Sequence, residues 1–329
     1  MNRLLLIINF GCVLSVCLLC YSCNDDIEKR SKFQKPTSIE QLGELLFFDP
    51  ILSADSTISC ASCHKPEFAF ADTSAFSKGV NAKLGSRNTP SAMNLDNHSF
   101  FFWDGRATSL EEQALGPIEN PIEMNLPVSE AIKRLKRHAF YREFFIQLAG
   151  GLPSRENLSK VLAQYQRSLS TSDTPFDDYM KRGDSSSFKA SEKRGQQIFN
   201  EKAKCFDCHF GPDFSNDDFR NIGLFDGTLR NDSGRFSVTK KISDIGKFKT
   251  PGLRNVSVTA PYMHDGSFKT LREVIEFYND PEKVVKKSVN RDSLLEKPLN
   301  LTEQEKKDLE NFLLSLTDKK FSKNLKSNN

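Results

Sequence analysis

Excess charge is nearly absent from this chain: 46 Lys and Arg stand against 43 Asp and Glu, leaving a formal charge of +3 in 329 residues. Attraction to a phosphate backbone needs a basic surplus, so nucleic acid is not expected as a partner. Cysteine to spare is also missing. Of eight cysteines, Cys12, Cys17, Cys20 and Cys23 fall in the first 23 residues, and only Cys60, Cys63, Cys205 and Cys208 remain beyond them. No thiol is left over for a structural disulfide. Tryptophan occurs once, as Trp103, and histidine five times. The apolar fraction of 38% and the charged fraction of 27% are those of a folded globular chain long enough for two domains.

The one long apolar run opens the sequence. Asn2 and Arg3 precede LLLIINFGCVLSVCLLCYSC, which is short, carries one basic flank and ends in small or polar residues. This reads as an export signal over residues 1–23 rather than a membrane span. The break at Ser22-Cys23 resembles a lipobox, which would place an acyl anchor on Cys23 and hold the protein at the membrane from the periplasm. Plain secretion and a retained helical anchor are the alternatives. Residues 24–37 read as a tether.

The four remaining cysteines form two C-x-x-C pairs, each followed at once by histidine: CASCH over 60–64 and CFDCH over 205–209. In C-x-x-C-H the two thiols add across haem vinyl groups, and the adjacent imidazole coordinates the iron. Two such pentapeptides would arise by chance on the order of once in a hundred thousand chains, so two covalently bound haem c groups are the expected cofactors. A four-cysteine zinc site is the competing reading, but it has no use for a histidine directly after both pairs.

The two halves repeat. Thr89-Pro90 answers Thr250-Pro251, Asn94 answers Asn255, Asp104-Gly105 answers Asp265-Gly266, and Leu110 answers Leu271, each 161 residues apart. Gly43 and Gly195 precede similar apolar helical stretches. One haem domain in two copies follows. Helical segments are expected at TSIEQLGELLFF, LPVSEAIKRLKRHAFYREFFIQLAG, SRENLSKVLAQYQRSLS and TLREVIEFY. LTEQEKKDLENFLLSLT adds another, opened by a capping box of Thr302 and Glu305. The polar Gly183–Ser187 stretch marks a boundary. The fold class is therefore mainly α: two cytochrome c-like helical domains with the haems facing a shared interface. The expected spans are 38–183 for the first domain, 184–320 for the second and 321–329 for a tail.

WDGRATSLEEQALGPIENPIEM, TPGLRN, TAPYMHDGSF and the two haem motifs together resemble the bacterial diheme cytochrome c peroxidase family, including its MauG-type members, over roughly residues 38–317. The resemblance implies a peroxidatic N-terminal haem on His64 and an electron-relaying C-terminal haem on His209. It places Trp103 between the haems, and Gln113, Pro117 and Glu123 over the distal face of the first. It implies a calcium ion held by Asn88, Thr259 and Pro261. Two departures carry meaning. Members that need reductive activation have a second histidine on the first haem where this chain has Val80, so that haem is expected to be open to peroxide; His98, the other nearby histidine, is expected at the surface or in packing. The distal ligand of the second haem is methionine in many members, whereas the matching position here is Tyr278, as in the MauG type, with Met263 as the competitor.

The expected function is reduction of hydrogen peroxide to water with electrons from a small periplasmic donor, a cytochrome c or a cupredoxin. In the proton transfers Glu123 would be the acid–base group and Gln113 the orienting one. The alternatives are MauG-like, peroxide-dependent oxidation of a protein substrate and a non-enzymatic diheme electron carrier. A homodimer is an expectation of the resemblance alone.

Overall fold

A computed structural model describes residues 35–322. The expected signal, Cys23, most of the tether and the last seven residues lie outside the described residues. Among those described, no helix is long and apolar enough to cross a membrane.

The helices of eight residues or more are α1 (Ile39–Phe48), α2 (Leu110–Glu119), α3 (Val128–Arg137), α4 (Ala139–Leu148) and α5 (Arg155–Ser168), then α6 (Pro175–Arg182), α7 (Ala190–Asn200), α8 (Leu271–Asn279) and α9 (Glu303–Ser315). The sheet content described is one two-residue pair: β1 (Phe219–Arg220) runs antiparallel to β2 (Phe248–Lys249), with Phe219 opposite Lys249. Local chemistry sets the helix starts. The hydroxyls of Ser38, Ser109, Ser154, Thr270 and Thr302 each accept from a backbone N–H in the first turn, satisfying donors that a helix start leaves orphaned. The capping box of Thr302 and Glu305 forms as expected.

The expected single helix over 126–149 is two. It breaks at His138, whose ψ of 109° is extended. The break lets both pieces grip the 49–54 segment: Arg134 donates to the carbonyls of Ser53 and Ala54 at 2.7 and 2.8 Å, and the Tyr141 hydroxyl donates to Asp49 at 2.6 Å. A straight helix would not turn both groups toward one short stretch.

The repeat is visible in the backbone. In the first half α1 crosses α5, and a Cβ placed on Gly43 would fall against the Val161 carbonyl. In the second half α7 crosses α9, and a Cβ on Gly195 would fall against the Asp308 carbonyl. Only glycine lets the helix backbones come this close. The bridges Phe101–Ala107 and Tyr262–Phe268 also recur at the 161-residue offset, as do the left-handed Asn94 and Asn255. Each half has its own apolar cluster. One is built on Leu42, Leu46, Ile118, Phe145, Leu158 and Val161; the other on Phe188, Phe199, Leu271, Ile275, Phe312 and Leu316. Phe176 and Tyr179 of α6 pack on the second cluster. The described residues from Ser38 to Ser322 form one compact unit around both.

Gly43→Ala is expected to destabilise the folded protein by about 1–3 kcal/mol, the usual cost of forcing a methyl into a filled contact. Chemical denaturation of the haem-loaded protein measures this. Gly85→Ala is the control: its added methyl meets nothing closer than 3.6 Å, and a change within about 0.5 kcal/mol is expected.

Candidate haem centres

Each C-x-x-C-H segment is a tight turn that delivers three groups to one cavity. Residues Cys60–Cys63 form a single helical turn, with the Ser62 hydroxyl accepting from the Ser59 N–H at 3.0 Å. Both turns close the same way: His64 N–H donates to the Cys60 carbonyl and His209 N–H to the Cys205 carbonyl, each at 2.8 Å. The imidazoles are then fixed by a second repeated bond. His64 Nδ1 donates to the Phe70 carbonyl at 3.0 Å, and His209 Nδ1 donates to the Phe214 carbonyl at 2.9 Å. A carbonyl can only accept, so Nδ1 carries the proton and Nε2 keeps its lone pair for a metal. Burial holds the pKa of both imidazoles below the ordinary value, which keeps them neutral, as ligation requires. Burial also pushes the Cys60 and Cys205 thiols up to about 12. Among the described residues no group of three or more His, Cys, Asp or Glu converges on one point, so the four thiols do not gather into one tetrahedral site.

The first cavity, about 760 Å³, is lined by Cys60, Cys63, His64, Trp103, Gln113, Pro117 and Glu123. Every residue expected around the first haem is thus in one wall set. Gln113 comes from the first turn of α2, and its Oε1 is buried with no hydrogen-bond partner. An orphaned acceptor facing a cavity costs free energy unless a ligand satisfies it. Pro117 sits in the last turn of α2. Glu123 lies on the loop that follows, where Asn120 Nδ2 donates to its carboxylate at 2.6 Å. Burial raises the Glu123 pKa above the usual carboxylate range, outweighing the Asn120 bond and the Arg106 charge that pull it down. Val80 is fully buried, and its N–H donates to the Glu123 carbonyl at 2.8 Å. The segment that bears a second histidine in activatable relatives by resemblance is here tied to the Glu123 loop through its backbone.

The second cavity, about 230 Å³, is lined by Cys205, Cys208, His209, Met263 and Tyr278, together with Asn88, Thr259 and Pro261. Tyr278 and Met263 both reach it. Burial raises the Tyr278 pKa, and its hydroxyl makes no hydrogen bond among the described residues. Tyr278 on α8 occupies the repeat position of Pro117 on α2, so both halves present the same helical turn to their cavity. Arg220 Nε, buried and without a partner, also lines this cavity and suits a carboxylate. A neutral imidazole with a free Nε2, two thiols and orphaned polar atoms in an apolar cavity fit a covalently held haem in each half.

Trp103 lines both cavities. Its indole N–H donates to the Asn88 carbonyl at 2.8 Å, its own carbonyl accepts from the Lys249 N–H at 2.8 Å, and the His264 ring meets it edge-on at 6.5 Å. These contacts fix the ring in the shared wall. His98 takes the packing role of the two expected: half-buried, its Nδ1 lies 2.6 Å from Asp217, which also pairs with Lys249 at 2.9 Å. Asn120, Arg220 and the His98–Asp217–Lys249 cluster carry no motif; Arg220 pairs with Asp218 close by and with Asp292 72 residues on, and His98 lies 119 residues from Asp217.

Residues 37–186 match the profile of the di-haem cytochrome c peroxidase family. The methylamine utilization protein MauG of Methylophilus methylotrophus is 36% identical over 308 residues, covering 88% of this chain and 89% of the relative. The cytochrome c551 peroxidase of Pseudomonas aeruginosa is 36% identical over 253 residues, covering 73% and 72%. A crystal structure of a MauG-like protein associated with microbial copper homeostasis superposes with a TM-score of 0.78 at 31% identity, covering 87% of this chain and 93% of that one. The chain belongs to the di-haem cytochrome c peroxidase family, whose members carry two haem c groups. It is an oxidoreductase of that peroxidase class, with the two cytochrome c-like helical domains that its repeat implies.

Replacing Cys205 and Cys208 together with serine is expected to halve covalent haem per chain. The pyridine haemochrome assay, after expression with the maturation machinery, measures it; unchanged haem content would contradict the assignment.

Proposed function

We propose that the protein reduces hydrogen peroxide to water in the cavity beside His64, drawing electrons through the His209 haem from a small periplasmic donor protein, a cytochrome c or a cupredoxin. The observation that carries this is the convergence of orphaned Gln113 Oε1 and half-buried Glu123 on the cavity that also holds His64 and the C-x-x-C thiols. When bound there, haem supplies an iron that accepts peroxide and the electrons that peroxide takes up. The chain's own groups manage protons and position. Glu123 takes a proton from one peroxide oxygen and returns it to the other, so that water leaves. Its raised pKa brings that exchange closer to neutral pH. Asn120 holds the carboxylate in place. Gln113 Oε1 accepts a hydrogen bond from the peroxide O–H. The Phe70 carbonyl orients His64 and strengthens it as a donor. Trp103, fixed in the wall common to both cavities, shortens the gap that electrons cross.

The proposal extends to three features. Tyr278 would bind the iron of the second haem through its phenol oxygen. Asn88, Thr259 and Pro261 hold calcium: the Asn88 amide oxygen accepts no hydrogen bond among the described residues while its Nδ2 donates to the Ser74 carbonyl at 3.2 Å, which leaves a hard oxygen donor of the kind calcium takes. The protein resides in the periplasm, anchored through a lipid on Cys23; this rests on the sequence alone, and a homodimer on the resemblance alone. A second reading, oxidation of a protein side chain in the MauG manner, is favoured by Tyr278 in the second cavity and by the likeness to MauG.

Glu123→Gln is expected to lower the second-order rate with peroxide by about 10²–10⁴-fold. In the wild type the base is the ionised form, so the rate falls as pH drops through the raised Glu123 pKa; in the variant that acid limb flattens. Stopped-flow measurement of the peroxide rate against pH checks both. An unchanged rate and limb would remove Glu123 from the reaction.

A further inference from the structure

The first half buries a tyrosine that the reaction above does not use. Tyr165, on α5, is 6% exposed. It lies in an aromatic cluster that ends on the haem-ligating imidazole. The Phe47 ring is 6.2 Å from the His64 ring and 5.1 Å from the Tyr165 ring, and Phe70 lies 5.9 Å from Phe47 and 6.5 Å from Tyr165. Phe70 also supplies the carbonyl that holds His64 Nδ1. The close helix crossing creates the place: a Cβ on Gly43 would lie 2.8 Å from Tyr165 Cβ. Other tyrosines are tied down by their hydroxyls, Tyr141 to Asp49 and Tyr262 to the Val256 carbonyl. The Tyr165 hydroxyl makes no hydrogen bond among the described residues. The charged group acting on it most strongly is Glu44, an exposed carboxylate on α1.

We propose that Tyr165 is an internal electron source for the His64 haem centre, giving up one electron through Phe47 when peroxide has reacted and no external donor is at hand. The inference rests on the peroxidatic reading of that centre. Peroxide needs two electrons and two protons to become two waters. Tyr165 supplies one electron, and its phenol O–H bond breaks as the electron leaves. What remains is a neutral phenoxyl radical, and the proton leaves to solvent on the side of the exposed Glu44 carboxylate, whose charge favours its departure. The second electron would come from the His209 haem, leaving that centre one electron more oxidised, and the two protons that peroxide consumes come from solvent. Phenylalanine does not itself hold the oxidation; its ring bridges the distance between His64 and the phenol. Tyr165 lines neither cavity, so the oxidising equivalent is moved away from the groups that handle peroxide. The site therefore protects the His64 cavity when donor runs short.

The test uses the two-haem protein, one equivalent of hydrogen peroxide and no donor, with freeze-quench electron paramagnetic resonance. A radical signal that narrows when the protein contains ring-deuterated tyrosine is expected. It is expected to be lost in Tyr165→Phe, retained in Tyr141→Phe and slower to form in Phe47→Leu. Tyr165→Phe keeps the ring that packs against Phe47, and its haem optical change with peroxide is expected to persist. Peptide mass spectrometry of peroxide-treated wild type should find oxidation or cross-linking at Tyr165. A tyrosine radical that survives Tyr165→Phe overturns the proposal, as does a wild type whose haem reacts with peroxide without any tyrosine radical. A haem that shows no optical change with peroxide overturns the peroxidatic reading, and this inference with it.

Discussion

One bond made twice decides what each half can do. A backbone carbonyl, of Phe70 in one half and Phe214 in the other, takes the Nδ1 proton of the histidine that closes the haem motif. Everything else at each centre follows from the nitrogen this leaves free. The accepting carbonyls lie only five or six residues downstream, so each motif and its acceptor travel as one unit. Burial then removes the competing option of a charged imidazole. The two apolar clusters and the two glycine crossings hold the walls around these units.

The halves share a plan and differ where their roles differ. Both present a helix turn to the cavity, at Pro117 in one and Tyr278 in the other. Proline has no polar side chain with which to bind iron, and the wall around it supplies an orphaned amide oxygen and a half-buried carboxyl of raised pKa instead. Tyrosine fills its turn with a phenol. On the proposed reading, the first cavity receives the small oxidant and the second relays electrons. Trp103 stands in the wall between, tied to Asn88 of its own half and to Lys249 of the other.

Much of this was legible in the sequence, for physical reasons. The haem motifs are local, so Cys60, His64, Cys205 and His209 were readable from spacing. The repeat offset carried Leu110 to Leu271 and Pro117 to Tyr278, because duplicated elements keep their register. Helix starts were readable where a hydroxyl caps them, as at Thr302. The break at His138 was not, since apolar periodicity runs through it and tertiary bonds from Arg134 and Tyr141 cause it. His98 was read as a surface or packing residue because its partners, Asp217 and Lys249, lie more than a hundred residues away. The raised pKa of Glu123 is likewise a property of the folded cavity.

On the proposed reading the His64 centre keeps an open position for peroxide while the His209 centre is closed by Tyr278. Electron paramagnetic resonance of the resting, fully ferric protein tests it most directly. One high-spin signal from the first haem and one low-spin signal from the second are expected, the latter altered in Tyr278→Met. Two low-spin haems at rest, or a second-haem signal indifferent to that substitution, would contradict it.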